Sequence, residues 1–281
     1  MIVASSATRR AGLGARYVVL IALAIAFVLP VLYMVSTSLK PHTYALEYPP
    51  KLIPSHPTID NYVTAWSSNM FGQYFVNSLL VSVATTALTV VLASMMAFGF
   101  ARFPIPGKEV VFGVLILGMS IPGTLLIVPQ FLLAKNLDLL NSLPGLVPFY
   151  VGGGMAFNTF LLRNFFEKTP VELDEAMLID GANAWRRYWH LAMPLARPVL
   201  ATVAIFSFLG SWDEFVWALT VINDVARRTL PIGIALFIGQ HGTQWGLLFA
   251  ASLIAVVPVI ITYLALQRHI ISGLTNGAIK S

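Results

Sequence analysis

The chain has 281 residues, 57% of them hydrophobic and only 10% charged, with a mean hydropathy of +0.79 and a formal net charge of +5. That composition cannot be wrapped into a water-soluble core, so the sequence reads as an integral membrane protein. Its basic pI near 9.6 does not call for nucleic acid, because lysines and arginines that flank spans obey the insertion bias and face anionic lipid.

In chain order, Arg9, Arg10 and Arg16 precede an apolar run over 17–39 that contains Ala22-Leu23-Ala24. The run continues about fifteen residues past those small residues, longer than the apolar part of a signal peptide, so an uncleaved first spanning helix is expected. Residues 40–73 carry Pro41, Pro49, Pro50, Pro54 and Pro57 and no apolar periodicity. They are expected to be irregular and to face an external partner. Charge-free runs over 71–101, 110–134, 139–162 and 245–266 are each long enough to cross about 30 Å of hydrocarbon as a helix. A sixth, 198–222, is broken only by Asp213 and Glu214. Segments 102–108, with two prolines and a glycine, and 141–144 read as the turns between spans. Residues 230–239 are too short to cross, and read either as a short outer helix at a cavity mouth or as a loop packed on helix ends.

A spanning backbone must satisfy its own hydrogen bonds, and runs this long and apolar do so as helices rather than as barrel strands. The expected fold class is all-α, polytopic, with six transmembrane helices. With both termini inside, Arg9, Arg10, Arg16, Arg102, Lys108, Arg163, Lys168, Arg186, Arg187, Arg197, Arg268 and Lys280 are cytoplasmic, 12 of the 17 basic residues. That asymmetry supports the orientation. No internal repeat is found, so 1–281 is expected to be one transmembrane domain.

The chain has no cysteine, which excludes disulfides, thiolate metal sites and cysteine nucleophiles. Of the histidines, 42, 56, 190, 241 and 269, none pairs at metal-ligand spacing, so no bound metal is expected. No GxxxxGK[ST] motif occurs, so the chain does not bind ATP through a P-loop of its own.

The inner segment 163–197 differs in kind, because its helices are signalled by caps. Thr169-Pro170-Val171-Glu172 predicts a capping box, with Glu172, Asp174 and Glu175 at the positive end of a short helix and Gly181 where it stops. A second helix is expected after Asn183 and before Pro194, with Trp185, Tyr188, Trp189 and Ala192 on one face. Taken locally, this is equally a capped, solvated loop.

The joint pattern adds a resemblance. Glu175-Ala176-Met177-Leu178-Ile179-Asp180-Gly181-Ala182, followed by Pro194 and Pro198, is similar to the EAA loop of bacterial ABC importer permeases. It departs in having Met177 for the second alanine and Leu191-Ala192-Met193-Pro194 for Ile-x-Leu-Pro. Met119, Ile121-Pro122 and Pro129, the segments 160–166 and 212–219, and the tail 273–280 resemble MalG-type permeases of carbohydrate ABC importers. The resemblance implies a non-enzymatic transport subunit in the cell inner membrane. It also implies a second homologous permease of the MalF type, an ATPase dimer that binds ATP and Mg, an extracytoplasmic solute-binding protein and a carbohydrate substrate. No cofactor in this chain and no nucleic acid are implied.

Under the resemblance Glu175, Ala176, Asp180, Gly181, Ala182 and Pro194 form the ATPase-coupling site. The tail 268–281, through Gly277 and Lys280, is expected to reach the ATPases as an extended strand; a frayed end is the alternative. Asp213 and Glu214 fall in the outer half of the fifth span, where an ionised acid facing lipid costs about 3 kcal/mol. They either line the translocation pathway or snorkel to the interface. Pro122 and Gly153 are expected at the pathway or as packing relief. The competing class is a stand-alone secondary transporter or channel, which the absence of a half-length repeat disfavours.

Overall fold

The computed structural model describes residues 6–41, 47–49, 51–239 and 242–278. The chain divides into two units, one of residues 1–69 and 234–254, the other of residues 70–233 and 255–281.

In the first unit, α1 (Ser6–Ser38) contains a 23-residue apolar stretch, Arg16–Ser38, with a mean hydropathy of 2.9 and none of its best window buried. Aliphatic side chains exposed on every side suit a helix whose solvent is lipid. Its C-terminal carbonyls are met by one amide: Asn61 Nδ2 donates to Ser38 O at 2.8 Å and to Lys40 O at 2.7 Å. Lys40, only 2% exposed, donates to Lys51 O at 2.7 Å and lies 3.3 Å from Glu47. The segment expected to be irregular contains a helix, α2 (Asp60–Ser67). Two turns are too short to register as periodicity, and Asn61 ties this one to α1.

The second unit is built on three helices, α3 (Phe71–Arg102), α6 (Leu143–Lys168) and α10 (Arg197–Trp212), which pack on one another. The buried face of α3 is small and hydroxylated, with Ser78, Ser82, Thr85, Thr89, Ala93 and Ala97, while Leu80, Val83, Leu88 and Leu92 point outward. Small residues let helix backbones approach closely where lipid provides no hydrophobic drive. One cluster forms around Leu146, Val147, Trp217 and Ile222, a second around Phe98, Leu162, Phe166 and Tyr188.

The expected third span is broken. α4 (Lys108–Gly118) is followed by a 3-10 turn, Gly123–Leu126, and then α5 (Ile127–Asn136), and the two parts are bent by 94°. Pro122 precedes the turn, and the residue before a proline leaves the helical region. α4 is tied to α6 by Arg163, whose Nη2 donates to both carboxylate oxygens of Glu109 at 2.6 and 2.8 Å. Its guanidinium lies 4.0 Å from the Phe112 ring. By length and composition, four helices among the described residues can cross a membrane, or up to six if each bent pair is one span.

α6 starts where the turn was expected: Ser142 Oγ accepts from Gly145 N at 3.1 Å. It ends at the segment 163–197, which carries α7 (Val171–Ile179), α8 (Ala184–Arg187) and α9 (Met193–Leu195). The run 198–222 is interrupted too, with α10 ending at Trp212 and α11 (Val216–Val221) starting after Asp213, Glu214 and Phe215.

Within 230–239 lies α12 (Leu230–Ala235), so a short helix is present. It is also held against α3, since Ser78 Oγ accepts from Leu230 N at 2.8 Å and Asn77 Nδ2 donates to Ala226 O and Arg228 O, each at 2.9 Å. A Cβ at Gly233 would lie 2.4 Å from the Tyr74 ring, so the approach requires glycine. A two-residue hairpin, β1 (Ile238–Gly239) and β2 (Gly242–Thr243), leads to α13 (Trp245–Ala278). The tail expected to be extended is helical as far as Ala278. Extending an existing helix needs no new nucleus, and two glycines do not suffice to stop it.

Candidate functional site

The first candidate site is the segment 163–197. The predicted capping box is not formed: Thr169 ends α6, and its hydroxyl donates to Phe165 O at 3.1 Å instead of capping α7. α7 begins at Val171 with Pro170 in the cap position, so Thr169 stands one residue too early to cap it. Glu172 and Asp174 do occupy the first turn of α7, suiting its dipole. The stop is as expected. Gly181 takes φ +77°, its N–H bonds Leu178 O at 3.0 Å and the Ala182 N–H bonds Met177 O at 2.9 Å, the two bonds of a Schellman motif.

Asn183 caps α8, its Oδ1 accepting from Arg186 N at 2.9 Å. The helix then widens through a π turn, Tyr188–Ala192, and reaches Leu195, so Pro194 lies inside the last turn and not beyond it. The widened turn leaves room for a residue with no amide hydrogen, which a regular α-turn would not. The predicted aromatic face divides. Tyr188 and Ala192 are buried, with Tyr188 hydroxyl 2.7 Å from Ser94 Oγ and its ring 5.6 Å from Phe98, whereas Trp185 and Trp189 are exposed.

The structure places Glu175, Ala176, Asp180 and Gly181 together on one exposed edge, with Leu178 and Ile179 also exposed beside them. Ala182 is buried beneath the turn, and Pro194 is exposed at the other end of the segment.

Beneath that edge is an ion group that the sequence reading missed. Asp174, 4% exposed, lies 2.7 Å from Arg102 Nε and 3.5 Å from Arg187 Nη1. Arg102 also donates to Thr169 O at 2.8 Å, and Arg187 lies over the Phe103 ring at 5.6 Å. One buried carboxylate thus fastens α7 and α8 to the end of α3. No local signal marks it, because the partners are far apart in sequence.

The second candidate site is a cavity of about 410 Å³ between α3, α6 and α10. Gly153 and Gly154 open its α6 side, Phe149, Tyr150, Phe157 and Phe206 supply aromatic wall, and Glu214 closes one end. Both oxygens of Glu214 are engaged: Tyr150 donates from its hydroxyl at 2.7 Å, and Trp217 N and Ala218 N donate at 2.7 and 3.0 Å. The acid therefore caps α11 and faces the cavity at once. Glu214 also borders a smaller space of about 150 Å³ lined by Gly123, Thr124 and Gln130.

Of the four residues expected at a pathway, Glu214 and Gly153 share the cavity, and Pro122 lies next to the smaller space through Gly123. Asp213 lines neither; it is exposed at the end of α10. Gly277 falls in the last turn of α13, and Lys280 lies outside the described residues. The polar wall from α3, Thr85 and Thr89, was overlooked, although two hydroxyls one turn apart in an apolar span signal an inward polar face.

Comparison with known proteins gives a consistent placement. The family described as "Binding-protein-dependent transport system inner membrane component" matches residues 89–276. The diacetylchitobiose uptake system permease protein NgcG of Streptomyces coelicolor is 36% identical over 94% of this chain and 88% of its own length. The trehalose transport system permease protein SugB of Mycobacterium tuberculosis is 34% identical over 90% of this chain and 92% of its own. A chain in the crystal structure of a bacterial ABC transporter involved in the import of the acidic polysaccharide alginate shares the fold, with a TM-score of 0.84 at 22% identity over 96% of this chain and all of that one. The chain belongs to the family of binding-protein-dependent transport system inner membrane components.

Proposed function

We propose that this chain is the permease subunit of an ATP-driven importer of carbohydrates or related solutes, and that it forms half of the translocation pathway. Relatives named for diacetylchitobiose and trehalose transport support the substrate class. The chain crosses the membrane six times, counting each bent pair as one span, with both termini and the segment 163–197 in the cytoplasm. The placement of basic residues supports that orientation. ATP and Mg are bound by a separate ATPase dimer, the second half of the pathway is a homologous permease, and an external binding protein delivers the solute.

The observation that carries the coupling role is the exposed Glu175, Ala176, Asp180 and Gly181 edge on a segment anchored from below by Asp174. A partner that grips this edge moves α7 and α8, and the buried ion group carries the displacement into α3. No proline interrupts α3, so a push at Arg102 reaches Thr89, about 20 Å along the helix, without a hinge. The transport step is a two-state reorientation biased by ATP binding at the partner.

Replacing Glu175 by Ala, or Gly181 by Leu, is the direct test. The expected result is normal insertion with weakened ATPase association or with hydrolysis uncoupled from uptake. Wild-type uptake together with wild-type stimulated hydrolysis in both variants refutes the coupling assignment.

A further inference from the structure

The segment 163–197 is divided by charge. From Thr169 to Trp185 the chain carries four acids, Glu172, Asp174, Glu175 and Asp180, and no basic residue; from Trp185 to Trp212 it carries Arg186, Arg187, His190 and Arg197 and no acid. Arg187 is committed to Asp174, at 3.5 Å. Arg186 and Arg197 are exposed and make no ion pair among the described residues.

The basic half lies along the membrane. The helical stretch Ala184–Leu195 is bent by 81° from Arg197–Trp212, which is α10, and α10 packs on α3 and α6, two helices long and apolar enough to span. A helix set across their axes runs roughly in the membrane plane. Its depth follows from Tyr188, whose hydroxyl lies 2.7 Å from Ser94 Oγ. α3 has 32 residues, about 48 Å of helix against about 30 Å of hydrocarbon, so about 9 Å projects at each end if the excess is shared. Ser94 stands about 12 Å before the end of α3, near the hydrocarbon boundary. The helix beside it is therefore at headgroup level.

Its faces are sorted to match. Tyr188 and Ala192 are buried against the bundle. Arg187 and Leu191 flank them on the side of α7, where Leu191 lines the same small space as Asp174. Trp185 and Trp189 flank them on the other side, away from α7, 57% and 40% exposed with their rings 5.8 Å apart. Exposed indoles suit the membrane interface, where the ring meets lipid and the N–H meets headgroups.

We propose that the helix Ala184–Leu195 is an interfacial helix that moors the segment 163–197 to the anionic surface of the inner leaflet, with Trp185 and Trp189 set among the headgroups and Arg186 and Arg197 drawn to lipid phosphates. Each basic side chain near such a surface favours contact about fivefold, an attraction that salt screens. The acidic α7 is repelled by the same surface, so the two halves of the segment meet different partners, α7 the ATPase and 184–195 the lipid. This mooring rests on the reading of 163–197 as cytoplasmic, and adds lipid as a partner and a dependence on lipid charge.

The chain has no cysteine, so Trp189→Cys carries a single bimane label, of a size near that of the indole it replaces, while Trp185 stays in place. The full importer, with cysteine-free partner subunits, is reconstituted in vesicles of phosphatidylcholine alone or of phosphatidylcholine and phosphatidylglycerol in equal parts. In the mixed vesicles the label is expected to be quenched several-fold more strongly by lipids brominated just below the headgroup than by aqueous iodide. The ratio should fall in phosphatidylcholine alone, at high salt, and in the added double variant Arg186→Gln with Arg197→Gln. If Trp189→Cys does not assemble, Arg186→Cys carries the label at the exposed position beside it.

Dominant quenching by iodide leaves the helix in water, and protection from both quenchers means that protein, the ATPase included, covers this face. A ratio equal in the two lipid mixtures removes the anionic surface as the partner. Any of these results overturns the mooring. Sidedness is read separately through Ile179→Cys, at an 87% exposed position on α7, which an impermeant maleimide should reach in inside-out vesicles and not from outside intact cells. Modification from outside overturns the cytoplasmic placement itself, whatever the quenching shows.

Discussion

Asp174 is the residue whose loss should cost the most stability. It is 4% exposed and shared by two guanidiniums, whose side chains are 9% and 10% exposed, at 2.7 Å from Arg102 and 3.5 Å from Arg187. Asp174→Ala leaves two buried cations facing one another with no counter-charge. Removing one partner of a buried ion pair costs about 3–5 kcal/mol, mostly as the penalty on the charge left behind. Arg187→Met is milder: Asp174 keeps its shorter contact to Arg102, so the loss is that of one long charged contact, about 1–2 kcal/mol. Arg102→Met falls between, because it also removes the bond to Thr169 O. The expected order of destabilisation is therefore Asp174→Ala, then Arg102→Met, then Arg187→Met. Thermal unfolding of the purified complex, followed by intrinsic tryptophan fluorescence, measures that order. The double variant Asp174→Ala with Arg187→Met should lose less than the sum of the two single losses, since the second change removes a cation the first left unpaired. Strict additivity, or Arg187→Met melting below Asp174→Ala, would show that the carboxylate does not hold the group together.

Glu214→Ala removes three accepted hydrogen bonds and the cap on α11 and should lower stability by about 1–3 kcal/mol, whereas Glu214→Gln keeps an acceptor for Tyr150 and should lose less; equal melting of the two variants contradicts the capping role. Asp213→Asn should retain most uptake and Asp213→Leu should lose it if this exposed group at the end of α10 meets solute or a partner subunit; matching uptake by both places it at the membrane interface. Truncation after Ser272 removes the last turns of α13 and the residues beyond, and should reduce transport and its coupling to ATP hydrolysis with membrane levels intact. A truncated chain that assembles and transports normally would make the tail a simple helix end.

What could be read in the sequence was whatever depends on neighbouring residues. The apolar runs located α1, α3, α6 and α13, because a membrane demands unbroken length and that demand is written residue by residue. Gly181 and Asn183 marked their turn and cap because both act within a few positions, through a positive φ and a side-chain oxygen. Thr169 misled for the same reason. Its local pattern is that of a cap, but Thr169 flanks the end of α6 and α7 starts one residue later, with Pro170 in the cap position. The 94° bend before α5 escaped because Pro122 and Gly123 signal only that a helix is weakened there, and the direction taken afterwards depends on what α5 packs against.

The two sites differ in legibility on the same ground. The exposed edge around Glu175 lies within eight consecutive residues, so its spacing could be matched directly, while the side that anchors it draws on residues 102, 174 and 187 and has no spacing to match. The cavity is intermediate. Each wall carries a local mark, the Thr85 and Thr89 pair on α3, the glycines at 152–154 on α6 and Glu214 after α10, yet none alone separates a polar site from packing relief. Only the meeting of α3, α6 and α10 turns three ambiguous marks into one enclosure.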